Sequence, residues 1–117
     1  MEAQERRRYP RVELPLSVQF QVRGDPKARP QTGLLLNLSA GGLRFTGAQP
    51  LERGTKLEFQ IGLLRKELYV LTGAVMWTKS LGTSVECGVE FTDLSPTRRA
   101  ELDEIVQFLT KPQEDME

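Results

Sequence analysis

Two short clusters in this chain have side chains of the right type and spacing to hold an anionic, base-bearing ligand. The first is Arg6-Arg7-Arg8-Tyr9-Pro10-Arg11, a knot of guanidiniums near the start. The second is Asn37-Leu38-Ser39-Ala40-Gly41-Gly42, a polar turn between apolar stretches. The planar fork of arginine binds two phosphate oxygens, or guanine O6 and N7, in a bidentate manner, and its face stacks on a base. The Asn37 side-chain oxygen can accept from a guanine amide edge, and the Ser39 hydroxyl can serve a phosphate or a base. Gly42 permits close backbone approach or a positive φ. Each cluster also has a plainer explanation. Basic termini are often loose and solvated, and Asn, Ser and Gly are ordinary hairpin-turn residues.

The elements that must position these clusters are mostly strands. Val12, Leu14, Leu16, Val18, Phe20 and Val22 alternate with polar residues, the period of a half-buried strand. Pro15 falls on its outward side, which predicts an edge or a bulge there. The turn formers of Arg23 to Pro30 follow. A second strand is predicted over Thr32 to Leu38, with Leu34, Leu36 and Leu38 on one face, and a short third strand over Leu43 to Thr46. Gly47 to Gly54 is predicted as a loop. Leu57, Phe59 and Ile61 alternate in a fourth strand, and Arg65-Lys66 marks a turn.

The run Glu67 to Lys79 is apolar on both faces. Leu68, Val70, Ala74 and Met76 form one, and Tyr69, Leu71, Val75 and Trp77 the other, which predicts a cover of some kind on its outer side. A sixth strand spans Ser84 to Thr92. The period then changes. Ser95 suits an N-cap and Pro96 the first helical position. Leu102, Ile105, Val106 and Leu109 recur at helical spacing up to Pro112. The expected fold is mostly β: about six strands in a small antiparallel barrel or rolled sheet, with a C-terminal helix over one opening.

Composition narrows the chemistry. The 117 residues suffice for one domain and one core. Lys and Arg total 16 and so do Asp and Glu, a balance that argues against broad nucleic-acid binding. There is no histidine and one cysteine, Cys87. A disulfide within the chain and a cysteine zinc site are thereby excluded, and the commonest general base is missing. Cys87 falls in a strand pattern that suits a buried, inert thiol. Glu86, Glu90 and Asp93 are the remaining candidates for catalysis and are most simply solvated strand and turn residues, so no enzyme is expected. No apolar run is long enough for a signal peptide or a membrane span, and the expected location is the cytoplasm, without membrane insertion.

Taken together, the two clusters and the strand pattern resemble the PilZ domain, a bacterial family of cyclic-di-GMP receptors, from about Glu5 to Leu109. The family's Arg-x-x-x-Arg is matched by Arg7-Arg8-Tyr9-Pro10-Arg11, and its Asp/Asn-x-Ser-x-x-Gly by Asn37 to Gly42. Gly88-Val89-Glu90-Phe91 before the closing helix also fits. The resemblance implies a six-stranded antiparallel β-barrel with a C-terminal α-helix over residues 12–111. It further implies a flexible basic arm over residues 1–11 that folds onto bound ligand, and residues 112–117 form an acidic tail.

By the same resemblance Arg7 and Arg11 grip phosphates and guanine, Asn37, Ser39 and Gly42 line the opposite side, and Trp77 packs at the site's edge. Arg6, immediately before the first motif, implies an intercalated nucleotide pair. Asn37 stands where many members carry Asp, a stronger acceptor. Arg44 is an exposed strand arginine that could add a phosphate contact. Asp93-Leu94-Ser95-Pro96-Thr97-Arg98 imitates the second motif but ends in Arg and is better explained by helix capping. The implied function is a non-enzymatic cyclic-di-GMP receptor without cofactor that signals to a downstream protein. The alternative is a PilZ-like adaptor that binds a protein partner without nucleotide.

Overall fold

In the computed structural model, residues 11–62 and 68–110 are described; for Arg11, Leu14 and Thr110 the description extends to the backbone alone. Strand β1 (Arg11–Val22) is followed by β2 (Gln31–Ser39), β3 (Gly42–Gly47), β4 (Lys56–Gly62), β5 (Leu68–Ser80), β6 (Val85–Thr92) and helix α1 (Pro96–Thr110). All neighbouring strands run antiparallel in the order β1-β2-β3-β6-β5-β4, and β4 returns to β1 to close a barrel. Closure leaves no sheet edge among these strands.

The alternation in the sequence marks most of the interior. Val18, Phe20, Leu57, Phe59, Ile61, Leu71 and Val75 are buried in one cluster with Leu35, Phe45 and Cys87. Phe45 packs against Phe20 at 4.8 Å and edge-on against Phe59 at 5.2 Å between ring centroids. These spacings suit tilted and T-shaped aromatic pairs.

Helix α1 starts where the sequence says it should. Ser95 Oγ accepts from the Arg98 N–H at 3.1 Å, the bond of an N-cap. Leu102 and Val106 are fully buried, and Ile105 and Leu109 pack at the margin of the same core. The helix lies chiefly against β1 and β2 and fills the barrel mouth near Ser39 and Gly42. At its first turn the Arg98 guanidinium stands 4.7 Å over the Tyr69 ring. Asp93, just before the cap, takes a left-handed φ of 58°, a region in which Asp is enriched.

Three β-bulges interrupt the strands; the first meets an expectation and the other two correct expectations about strand faces. In β1 one extra residue lies between Glu13 and Leu16 relative to β2, in the segment that contains Pro15, so the predicted irregularity is a bulge. In β2 one extra residue lies between Leu35 and Asn37 relative to β3. Leu34, Leu36 and Leu38 therefore do not share a face: Leu35 and Leu38 are buried, while Leu34 is 43% exposed. In β5 the extra residue lies between Val75 and Trp77 relative to β6. Trp77 is turned away from the interior face of Tyr69, Leu71 and Val75, and is 43% exposed. The outer residues Leu68, Val70 and Met76 of β5 are also exposed, so the second apolar face of this strand is not a second core face. The turn at Arg65-Lys66 and the stop at Pro112 lie outside the described residues.

Candidate functional site

Antiparallel register brings the second motif against the end of the first. Arg11 is paired with Ser39 across β1 and β2, and Glu13 with Asn37. The row continues through Asn37 opposite Arg44, Arg44 opposite Gly88, and Gly88 opposite Trp77. Directly opposed residues share one face of a sheet. Leu43 and Phe45, which flank Arg44, are buried, so the row Glu13–Asn37–Arg44–Gly88–Trp77 lies on the outer wall of the barrel. Arg6 and Arg7 lie outside the described residues, and Arg11 enters through its backbone position as the first residue of β1.

The turn of the second motif is tied from three sides. Ser39 Oγ accepts from the Gly41 N–H at 3.1 Å and donates to the Gly42 carbonyl at 3.4 Å. The Gly41 carbonyl accepts from the Phe91 N–H of β6 at 3.0 Å. The Ala40 carbonyl accepts from Arg99 Nη1 of α1, also at 3.0 Å. Asn37 and Ser39 are both buried, at 6% and 8% exposure. Ser39 thus holds the turn's shape with the hydroxyl the sequence offered to a ligand.

Gly42 fulfils one of its two expected roles, close backbone approach, with the neighbouring strand β6 as the group approached. Its φ is not among the left-handed values, which among the described glycines belong to Gly24, Gly54 and Gly82. A Cβ on Gly42 would press into the carbonyl oxygen of Val89. The missing side chain therefore permits the close approach of β3 to β6. Gly88 is constrained in a similar way: a Cβ there would collide with the Trp77 indole. The indole lies over bare backbone, and Trp77 is 43% exposed.

Arg44 Nη1 pairs with Glu86 Oε2 at 3.1 Å. The Arg44 side chain is half exposed, and its Nε is buried without a hydrogen bond. Cys87, beside Glu86, is buried inside the barrel; burial chiefly, and then the Glu86 charge, push its thiol above the ordinary pKa. Among the described residues no group of three or more Cys, Asp or Glu side chains is placed to hold a metal, and no helix is long and apolar enough to cross a membrane. A shallow, solvent-open hollow between β1 and β4, lined in part by Gln19, Gln21, Glu58 and Gln60, shares no residue with either motif.

Sequence reasoning missed Gly88 and Arg99 as parts of this site. Gly88 carried a signal, since glycine inside a strand marks close approach by another group. Arg99 carried none, because its partner Ala40 is 59 positions away.

Comparison with protein families matches the PilZ domain to residues 5–108. Comparison with curated protein sequences finds no match. Among solved structures, the PilZ domain of YcgR from Escherichia coli with c-di-GMP superposes with a TM-score of 0.72 at 20% identity, covering 95% of this chain and 97% of that one. MotI/DgrA, the inhibitor of motility from Bacillus subtilis, gives 0.68 at 20% identity over 91% of this chain and 53% of that one. The MrkH–c-di-GMP complex of K. pneumonia gives 0.64 at 14% identity over 96% and 56%. The chain thus spans nearly all of the isolated YcgR domain and about half the length of the other two. At these identities the likeness establishes the fold.

Proposed function

The chain belongs to the PilZ domain family, and from that premise we propose that it is a cyclic-di-GMP receptor whose basic arm, residues 1–11, orders on the ligand. The observation that carries this reading is the row on the outer wall. Asn37, Arg44 and Gly88 are directly opposed, with the Trp77 indole over Gly88 and Arg11 opposite Ser39 at the row's edge. Such a wall offers a guanine nucleotide an amide acceptor, a cation and an exposed aromatic face, while the arm brings more guanidiniums to its phosphates.

In this reading Arg7 and Arg11 hold phosphates and guanine edges, and Arg6 favours an intercalated pair. Asn37 meets the guanine edge, Trp77 closes the side, and Ser39 and Gly42 keep the turn and strand approach in shape. Ordering of the arm creates a new surface for a downstream protein, with ligand binding offsetting the entropy of ordering. The barrel and helix, about residues 12–111, form the rigid receptor, and residues 112–117 an acidic tail. The protein acts without a cofactor and without catalysis, in the cytoplasm.

Calorimetric titration with cyclic-di-GMP tests this. Saturating heat is expected, with a ratio of two nucleotides per chain for the pair. Replacing Arg7 or Arg11 by Ala should each cost about 2 kcal/mol, roughly thirtyfold in affinity, if these are charge-assisted contacts. No heat from the folded wild-type chain would favour the nucleotide-independent adaptor.

A further inference from the structure

The pair between Arg44 and Glu86 lies within the proposed site. Arg44 occupies the middle of the row, with Asn37 on one side and Gly88, under the Trp77 indole, on the other. Yet its guanidinium does not serve the row. It reaches diagonally along β6 to Glu86, which is directly opposite Thr46 rather than Arg44. The diagonal arrangement leaves Nε buried and unbonded, an unmet donor of the kind that calls for an explanation. On the far side of Glu86, Lys79 of β5 is directly opposite it, within the usual reach of a cross-strand ion pair.

We infer that Arg44 is a further phosphate-binding residue and that Glu86 is its exchangeable counter-ion, holding it away from the ligand until one binds. The inference rests on the nucleotide-receptor reading and names the regulation of that same site. A phosphodiester over the row competes with the Glu86 carboxylate for the guanidinium. The competition is not costly, because the Arg44 end of the pair is 36% exposed and Lys79, directly opposite the 13% exposed Glu86, can offset that carboxylate's charge. Once Arg44 turns to the ligand, its Nε and Nη edge can grip two phosphate oxygens. Glu86 then faces Lys79, so its charge is not left without a partner. In the unliganded barrel Glu86 has two effects of the same sign: it neutralises Arg44 and repels an incoming anion. Glu86 therefore lowers affinity for the nucleotide, and lowers it mainly through Arg44.

The test is titration of the full chain with cyclic-di-GMP at one fixed salt concentration, using wild type, Arg44→Gln, Glu86→Gln, the double variant and Arg7→Ala. Glu86→Gln should bind about threefold tighter, the scale of a partly exposed ion pair. Arg44→Gln should bind about tenfold weaker, as for one lost charge-assisted contact. The double variant should match Arg44→Gln, because freeing an absent arginine gains nothing. An equal gain from Glu86→Gln in both backgrounds would mean simple repulsion and would overturn the exchange. Wild-type affinity in Arg44→Gln would remove Arg44 from the site. Thermal melts accompany each variant. Should Arg44→Gln melt early, Arg44→Lys takes its place, since it keeps charge and stem but loses the fork and should still bind more weakly. If wild type binds and Arg7→Ala does not, while the Arg44 and Glu86 variants bind as wild type does, this inference alone fails. If wild type does not bind, both readings fail.

Discussion

Replacing Gly42 by Ala separates a glycine kept for the ligand from one kept for the barrel. The new Cβ would meet the Val89 carbonyl oxygen first, then Val89 C at 3.1 Å and Glu90 Cα at 3.3 Å. All three are backbone atoms of β6, so no side chain can swing aside. Nor can β6 retreat, because its other edge pairs Val89 with Val75 and Glu90 with Ala74 of β5. The two strands must splay. Forcing an extra carbon into packed structure costs about 1–3 kcal/mol, and the absence of a movable neighbour puts this case toward the upper end. Splaying also strains the bond from the Phe91 N–H to the Gly41 carbonyl, worth about 1 kcal/mol. A total of about 3 kcal/mol should lower the melting temperature by about 12 °C in a domain of this size. Calorimetric melting of wild type and Gly42→Ala without ligand measures it. Equal melting temperatures would refute the reasoning, and equal melting with lost nucleotide binding would return Gly42 to the ligand.

Two further outcomes follow from the contacts around the turn and the core. Arg99→Met should cost about 1–2 kcal/mol, because the bond to the buried Ala40 carbonyl is charge-assisted; amide exchange should speed up at Gly41 and Phe91 and stay unchanged at Phe59 of β4, and uniform acceleration would refute the local role. Cys87 should resist alkylation in the folded protein, since burial and the Glu86 charge hold its thiol protonated. The folded pKa is raised above the unfolded one, so this stability is complete below the ordinary value of 9.0 and is lost as pH rises above it. Chemical denaturation between about pH 8 and 10 should show a decline in wild type that Cys87→Ala lacks.

The sequence revealed the elements wherever one period held without interruption. Val18 and Phe20 in β1, and Leu57, Phe59 and Ile61 in β4, alternate strictly, and each is buried. Ser95 and Pro96 announced the helix because capping is local chemistry, and the Ser95 hydroxyl does accept from Arg98. Leu34-Leu35-Leu36 could not reveal which leucine faces inward, since a uniformly apolar run carries no phase. Trp77 was placed on one face with Tyr69, Leu71 and Val75 by counting on from Val75, and one bulged residue reversed the count. At the site, the motif residues and their spacing were legible. The contacts that decide how those residues work were not: Arg99 on Ala40, Val89 against Gly42 and the indole over Gly88 all join segments far apart in the chain.

The bulges that defeat the alternation also build the site. A regular β2 would aim Asn37 to the same side as Leu35, into the core and opposite Leu43. The extra residue between them turns Asn37 to the outer wall opposite Arg44. A regular β5 would likewise send Trp77 inward after Val75, and the extra residue there brings it out over Gly88. The bulge between Glu13 and Leu16 borders the same row on β1, where Glu13 faces Asn37. Bulges commonly lie beside binding sites because one inserted residue re-aims a side chain without breaking the sheet. Three of them border the row Glu13–Asn37–Arg44–Gly88–Trp77, whereas β4, which takes no part in the row, alternates without a break from Lys56 to Gly62. Departure from the strand period is thus itself a pointer to the binding wall. It leads to Asn37 and Trp77 from backbone register alone, independently of the motifs that first drew attention to them.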